Sequence, residues 1–438
     1  MKIPVLNCNR IYVNSHRISL LVDNKKNYTV TNDGWSILKF CDGTKDICDI
    51  YDIVSREFEI DKKDFLSFFE KAERINIIKY ISKIGKIEFK IYGGNNKSFP
   101  QSFAIELTNR CNLECKYCYG NYKRSTGIFL NFDTITYLFK SMMENGVITI
   151  ELTGGEPLLH PNFKEILILA LKCFYRVNIL SNGVLFTDEI FDIIKDNIDK
   201  VYLQISIDGC TEETNKKVRG VNNTWNKTLH TLIKLESIGA KYRVPFMITK
   251  DNIHEIENVC ELFKQKNIKN LIFSPVSSSF GRACDSLECK FEADNENYLY
   301  NISQIMLERY PDIFHRLLNY KNELPIARDN CGSGWQHATI SPTGTVKFCV
   351  IMNDCSASMG NIYEQNISKI FNSEKAYFYA NFSKQIDDEC CISCEYYGSC
   401  GNCIARIYMA NIDRLKKGKE LCNIVKKTNM DKYLNFTY

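Results

Sequence analysis

The stretch Thr108-Asn-Arg-Cys111-Asn-Leu-Glu-Cys115-Lys-Tyr-Cys118-Tyr-Gly constrains this chain more than any other. Three thiols at the spacing C-x-x-x-C-x-x-C lie on one short loop. They suit three corners of a cubane iron–sulfur cluster, whereas a closed structural zinc site wants four ligands. The fourth iron would stay open to chelate a small molecule. The competing readings are three cysteines of a core helix, or half of a zinc knuckle.

The pattern of the surrounding chain decides between them. Apolar runs at Phe103-Ala-Ile-Glu-Leu, Ile148-Thr-Ile-Glu-Leu, Val177-Asn-Ile-Leu, Val201–Ile207, Arg243–Ile248 and Leu271-Ile-Phe-Ser alternate with amphipathic helices such as Ile135–Met143, Phe163–Cys173 and Leu229–Ile238. Six such units predict an α/β fold, a partial (β/α)6 barrel rather than a closed eight-stranded one. Chemistry in such barrels sits at the carboxyl ends of the strands, and the cysteine loop directly follows the first.

With Tyr117 directly before its last cysteine, the loop resembles the cluster loop of the radical S-adenosylmethionine (AdoMet) superfamily. Other strand-end segments fall in register with that resemblance. Thr153-Gly154-Gly155-Glu156-Pro157 follows the second strand, where glycines allow close backbone approach and a carboxylate can receive an ammonium group; the resemblance implies that it binds the AdoMet amino group. Ser181 and Asn182 end the third strand. Gln204, Ser206 and Asp208 end the fourth, where related enzymes contact the methionine carboxylate and ribose. Arg219 matches an arginine that helps hold the cofactor, and Gly281-Arg-Ala resembles a recurrent feature of the superfamily.

Further cysteines return near the end: Cys331, then Cys349 across a predicted hairpin, then Cys391, Cys394, Cys400, Cys403 and Cys422. Their order resembles the SPASM extension, which holds two auxiliary [4Fe–4S] clusters. The resemblance implies Cys331, Cys349 and Cys403 for the cluster nearer the barrel, and Cys391, Cys394, Cys400 and Cys422 for the distal one. Only Gly401 and Asn402 separate Cys400 from Cys403, one residue fewer than the familiar pattern. A zinc ribbon of Cys391, Cys394, Cys400 and Cys403 is the alternative, but it leaves Cys331, Cys349 and Cys422 unused. With only three thiolates the near cluster could accept a substrate thiolate, unless Cys355 or Cys390 fills its fourth position.

Before the barrel, residues 1–95 show strand-like alternation and then helical spacing at Trp35/Leu38, Ile47/Ile50/Val54 and Phe65/Phe68/Phe69. Two strand-like runs, Ile77–Ile81 and Ile87–Ile91, with Gly85 between them, complete the pattern of a winged helix-turn-helix. The unit resembles the leader-peptide recognition domain of peptide-modifying enzymes, which implies a peptide added as an extra strand to a sheet edge, here sought at Tyr12, Val13 and Leu20–Val22. DNA binding is the other use of a winged helix. The segment Asp61-Lys-Lys-Asp-Phe-Leu-Ser-Phe-Phe-Glu-Lys offers it no basic stripe. The domains expected are thus 1–95 for leader recognition, 96–310 for the barrel and 311–438 for the auxiliary clusters.

Net charge of +4 gives no nucleic-acid footprint. No apolar run is long enough to span a membrane, and the start lacks a signal-peptide h-region, which predicts a cytoplasmic protein. Of the twenty cysteines, Cys8, Cys41, Cys48, Cys173, Cys210, Cys260, Cys284, Cys289, Cys355 and Cys390 lie outside these motifs. Free cysteine packs as a small hydrophobe, so they fit a reducing, anaerobic cytoplasm.

The resemblance implies a function. A reduced cluster at Cys111, Cys115 and Cys118 would cleave AdoMet to a 5′-deoxyadenosyl radical that takes hydrogen from a precursor peptide, and two auxiliary clusters would bring the total to three [4Fe–4S]. An external donor such as flavodoxin or ferredoxin would supply electrons. Thioether formation, as in sactipeptide and ranthipeptide synthases, is the leading expectation. Carbon–carbon crosslinking, formylglycine formation, epimerisation and excision are alternatives; an iron–sulfur redox sensor that binds DNA is the reading from another class. No acid or base stands out as catalytic; Asp354, near Cys349, is the one candidate, and His160 and His337 read as structural.

Overall fold

The computed structural model describes residues 2–8, 10–14, 17–22, 26–93, 99–276, 281–284, 286, 289, 293–314, 331–382, 391, 393–396, 400 and 403–436. The chain forms two compact units, Met1–Gln101 with Phe139–Ile148, and Ser102–Leu138 with Thr149–Tyr438.

In the first unit β1 (Ile3–Leu6) pairs antiparallel with β5 (Ile78–Ile81), while β2 (Arg10–Asn14), β3 (Arg17–Val22), β4 (Lys26–Val30) and β6 (Lys90–Gly93) form a sheet in the order β4-β3-β2-β6. Three helices follow β4: α1 (Asn32–Leu38), α2 (Ile47–Glu57) and α3 (Lys62–Arg74). Asp46 and Asp49 form a capping box on α2, and Asp61 accepts from the backbone of Lys63 and Asp64 at the start of α3, satisfying donors that a helix start leaves open. The apolar spacing read from the sequence becomes a shared core of Ile37, Leu38, Ile50, Val54, Phe65 and Phe69.

Two details differ from the sequence reading. The expected wing hairpin does not form: Ile78–Ile81 joins β1, and the second run becomes strand only from Lys90, pairing parallel with β2. The strands carrying Tyr12, Val13 and Leu20–Val22 are interior rather than edge, since β2 lies between β3 and β6 and β3 between β2 and β4. Alternation marks a strand but carries no information about which neighbours it pairs with.

The second unit is built on a nine-stranded sheet. Its parallel part runs through β7 (Ser102–Glu106), β8 (Thr149–Thr153), β9 (Arg176–Ser181), β10 (Val201–Ile205), β11 (Tyr242–Ile248) and β12 (Leu271–Pro275), each pairing with the next. These are the six strands expected. Registers such as Glu106↔Thr153 and Ile205↔Ser181 bring their carboxyl ends to one level. Intervening helices include α4 (Phe132–Glu144), α5 (Phe163–Cys173), α6 (Asp188–Asp196), α7 (Glu212–Arg219), α8 (Trp225–Ser237) and α9 (Ile256–Gln265).

The predicted hairpin between Cys331 and Cys349 is present as β13 (His337–Ile340) and β14 (Thr345–Lys347), followed by β15 (Ser358–Asn361). Its placement was not legible: β13 pairs parallel with β7, so the cysteine-rich region continues the barrel sheet. Among the described residues no helix is long and apolar enough to cross a membrane.

Candidate active site

The cysteine loop leaves β7 at Leu107 and is gripped on every side by backbone. Gly155 N–H donates to Thr108 O at 2.8 Å, Glu156 N–H to Arg110 O at 2.9 Å, Glu114 N–H to Arg219 O at 3.0 Å and Arg282 N–H to Cys118 O at 2.9 Å. A Cβ on Gly155 would stand 2.1 Å from Arg110 O, one on Gly154 2.4 Å from Thr108 O, and one on Gly281 2.1 Å from Cys118 O. The glycines are therefore required by the loop packed on them, at distances no side chain allows.

Cys111, Cys115 and Cys118 line one cavity of about 340 Å³ at the carboxyl edge of the barrel. Tyr117, Gly154, Gly155, Ser181, Asn182, Gln204, Ser206 and Arg219 line it with them, Arg219 from the end of α7 and the others from the loops and strand ends of the carboxyl edge. Glu156, Pro157 and Asp208 do not line it; they form the layer behind. Glu156 is fully buried, accepting from Ser181 Oγ at 2.8 Å, Asn182 N at 2.9 Å and Leu158 N at 3.2 Å. Its carboxylate is thus spent on holding the Ser181–Asn182 turn rather than turned to a ligand's ammonium. Burial pushes that carboxyl up to about 7, against the lowering pull of those donors and of Arg219. Pro157 begins the short helix Pro157–Leu159 that Glu156 caps.

Asp208 is equally buried. Its Oδ2 accepts from Arg219 Nε and Tyr117 Oη, both at 2.6 Å, and its Oδ1 from Met247 N at 2.8 Å. Burial alone would lower the Arg219 guanidinium; Asp208, Tyr117 and Cys115 outweigh it and hold it cationic. Burial pushes the Cys111 thiol up and the Cys115 thiol to about 12, so a metal that binds them must displace their protons.

The donor set fits a three-thiolate cluster with a chelated amino acid. Arg219 Nη1 and Arg282 Nε are buried without a partner among the described residues, and both side chains line the cavity. Buried donors without acceptors mark a place for a polar or anionic ligand. No group of three or more His, Cys, Asp or Glu among the described residues converges tightly enough to hold a single metal ion. A cubane takes each thiolate at a different iron and does not need that convergence.

The later cysteines fall into two sets. Cys391, Cys394, Cys400 and Cys422 line a cavity of about 230 Å³, where Asn411 holds Cys422 by accepting from its N–H at 2.7 Å and donating to its Sγ at 3.3 Å. Cys349 interacts with Cys331 and Cys403, and burial pushes its thiol up to about 11. The four cysteines that line the cavity with Asn411 are those that the resemblance implies for the distal cluster. Cys355 is exposed, and Cys390 lies outside the described residues.

A second cavity, of about 390 Å³, shares Tyr119, Tyr122 and Ile351 with the first. Sequence reasoning missed it. Its wall holds a buried ion pair, with Lys347 Nζ 3.3 Å from both oxygens of Glu106, and Tyr122 Oη donates to Glu106 at 2.9 Å. An interior charge at a strand end, as in Ile105-Glu-Leu, was the available signal. Asp354 lines this cavity rather than the first, accepting from Ser341 Oγ at 2.8 Å and Thr343 Oγ1 at 2.6 Å. Its neighbours are hydroxyls and Lys347.

A parallel barrel that brings three thiols and two unpartnered arginine nitrogens to one cavity at its carboxyl edge has the arrangement that a radical AdoMet domain needs. Residues 105–263 match the radical SAM superfamily and residues 331–404 match the SPASM iron–sulfur cluster-binding domain, so the chain carries both domains. These domains imply AdoMet and [4Fe–4S] clusters. Among curated relatives, the antilisterial bacteriocin subtilosin biosynthesis protein AlbA of Bacillus subtilis is 26% identical over 88% of this chain and 84% of its own. An AdoMet-dependent heme synthase of Methanosarcina barkeri is 27% identical over 73% of this chain and 95% of its own. In fold, the chain resembles Streptococcus suis SuiB, solved bound to its precursor peptide SuiA, with a TM-score of 0.66 at 15% identity over 97% of this chain and 99% of that one.

Proposed function

We propose that this protein is a cytoplasmic radical AdoMet enzyme that forms intrapeptide thioether links in a ribosomally made precursor peptide. The observation that carries this reading is that Ile351, two residues beyond Cys349, lines the barrel cavity beside Cys111, Cys115 and Cys118; we assign Cys331, Cys349 and Cys403 to the near cluster. A cluster held by three thiolates leaves one iron for a substrate sulfur. The similarity to AlbA and the fold shared with peptide-bound SuiB support a peptide substrate.

Cys111, Cys115 and Cys118 would hold the cluster that binds AdoMet, and the two later sets one auxiliary cluster each, three in all. When bound, these groups supply reductive AdoMet cleavage and hydrogen-atom abstraction from unactivated carbon. The chain supplies the rest. Arg219 and Arg282 offer donors to the cofactor, Tyr117 and the Thr153–Gly155 backbone shape its seat, and the barrel excludes water. One C–H and one S–H bond give way to one C–S bond. The hydrogen atom would leave on 5′-deoxyadenosine, the thiol proton would pass to solvent, and a cluster held by Cys331, Cys349 and Cys403 would take up the surplus electron. A flavodoxin or ferredoxin supplies the initiating electron.

In the N-terminal unit the leader would add to the outer edge of β4, which pairs on one side only among the described strands. This moves the docking edge from β2 and β3, whose edges are both used.

The test is anaerobic reconstitution, followed by reductant, AdoMet and a short cysteine-rich precursor encoded beside this gene. About twelve irons per chain are expected for three cubanes. So are 5′-deoxyadenosine, a loss of two hydrogens per link and cysteines that resist alkylation. Mass loss with every cysteine alkylatable would replace thioether formation by another oxidation. Full iron loading without 5′-deoxyadenosine would end the enzyme reading for that peptide.

A further inference from the structure

The cavity lined by Cys391, Cys394, Cys400 and Cys422 also holds the side-chain amide of Asn411. Asn411 stands on the helix Ile404–Lys416 and is 1% exposed. Ile404, Ile407 and Tyr408, seven, four and three positions before it, are buried on the same stripe. An apolar side chain is the ordinary occupant of such a position, and asparagine is among the weaker helix formers. Packing alone therefore does not account for an amide here.

Three contacts fix that amide, and their directions leave it one orientation. Its Oδ1 accepts from Cys422 N–H at 2.7 Å, while its Nδ2 donates to Ile407 O at 2.8 Å and to Cys422 Sγ at 3.3 Å. A turned amide would set its NH2 group against the Cys422 N–H and its oxygen against the Ile407 carbonyl, two donors facing and two acceptors facing. The Cys422 N–H and the Ile407 carbonyl thus hold an N–H on the sulfur. Securing the Cys422 backbone would need an acceptor only, which aspartate supplies as well. What asparagine adds is the donor to Sγ.

We propose that Asn411 is a positioning residue whose N–H, donated to the Cys422 thiolate, raises the reduction potential of a cluster held by Cys391, Cys394, Cys400 and Cys422. The proposal rests on the cluster assignment made above and adds the group that tunes it. A reduced cluster carries one more negative charge over its irons and sulfurs, so a hydrogen-bond donor at a ligand sulfur favours the reduced form. The electron comes from an external reductant, no bond of the chain breaks and no proton moves. Raised in this way, the distal cluster would draw the surplus electron of thioether formation away from the near one.

The test is a redox titration of the full-length, anaerobically reconstituted protein with dithionite, followed by electron paramagnetic resonance. The signal that changes when AdoMet is added belongs to the barrel cluster, and the remaining signals are auxiliary. Asn411→Leu keeps the volume and removes both bonds to Cys422; it adds no charge, so it reads the lost N–H alone. Asn411→Asp keeps the acceptor for Cys422 N–H and removes the donor. In each variant one auxiliary signal should appear at lower potential. Its ratio of reduced to oxidised cluster at the parent's midpoint should fall about tenfold, which is about 59 mV for a one-electron couple. The other auxiliary signal and the iron content should stay at the parent's values. An unmoved potential in a variant with full iron would overturn the proposal. So would loss of about four irons from both variants, since Asn411 would then be needed to build the site rather than to tune it. Zinc in place of iron and sulfide at these cysteines in the parent would remove the cluster assignment and the proposal with it. The metal and sulfide count, taken before any titration, separates that failure from the other two.

Discussion

Arg219 Nε lies 2.6 Å from Asp208 Oδ2, and both side chains are buried. The pair joins the end of α7 to the segment beyond β10, and Tyr117 of the cysteine loop donates to the same oxygen. A buried pair broken from one side leaves an uncompensated charge, at a cost of about 3–5 kcal/mol. Asp208→Ala should therefore lower thermal stability sharply. It should also weaken AdoMet binding through Arg219 and Tyr117, which equilibrium dialysis would measure. A stable variant with normal affinity would show that Arg219 has another anchor.

Glu156 should make the metal-free protein pH-sensitive. Its folded-state carboxyl is raised to about 7 from an ordinary value of 4.5, mainly by burial. The folded state then binds more protons than the unfolded state between those values, so stability falls as pH rises through that window. The full effect would be about 3 kcal/mol from this one group. Glu156→Gln cannot ionise and should lose less stability than the parent between pH 5 and pH 8 in urea titrations. Parallel losses would place the proton elsewhere.

The site was legible where chemistry imposes spacing and illegible where packing decides. Cys111, Cys115, Cys118, Ser181 and Gln204 reach one cavity because each lies at or just beyond a strand end, and strand ends can be read from apolar runs. Glu156 and Asp208 were recognised as belonging to the site but given the wrong face, since sequence does not tell a wall from the layer behind it. The Glu106–Lys347 pair joins residues 241 positions apart, and nothing local forecasts it. It exists because β13 and β14 extend the barrel sheet. In the N-terminal unit the helices were legible from their apolar spacing. The strand partners were not, because β6 could as well have folded back on β5.

Gly155→Ala should abolish cluster assembly in the barrel while leaving the later cysteine sets loaded. Its methyl group would stand 2.1 Å from Arg110 O, and backbone on both sides cannot yield without moving Cys111. Iron should fall by about four per chain, as one cubane requires. Gly85→Ala, with nothing within 4 Å of its Cβ, is the control and should load fully.

Lys347→Met should destabilise the protein by about 3–5 kcal/mol, leaving Glu106 charged and buried. Burial already raises that carboxyl, and Lys347 with Tyr122 opposes the rise. The double variant Glu106→Leu/Lys347→Met should recover most of the loss, because apolar residues of similar volume replace a buried pair at little cost. Denaturant midpoints for the two single variants and the double would give the coupling. Additive losses would mean that the pair does not act as a unit.

On the proposed ligand assignment, Cys403 and Cys422 serve different clusters and should fail differently. Cys422→Ser removes a ligand from the cavity that Asn411 helps to shape, and Cys403→Ser removes one from the set containing Cys349. Each should lose about four irons. If the near set receives the substrate sulfur, Cys403→Ser should still release 5′-deoxyadenosine when peptide is present, yet form no thioether. Abstraction depends on the barrel site, whereas bond formation depends on the near cluster. Normal crosslinking by Cys403→Ser would remove that residue from the near set and return the zinc-ribbon grouping of Cys391, Cys394, Cys400 and Cys403 to consideration.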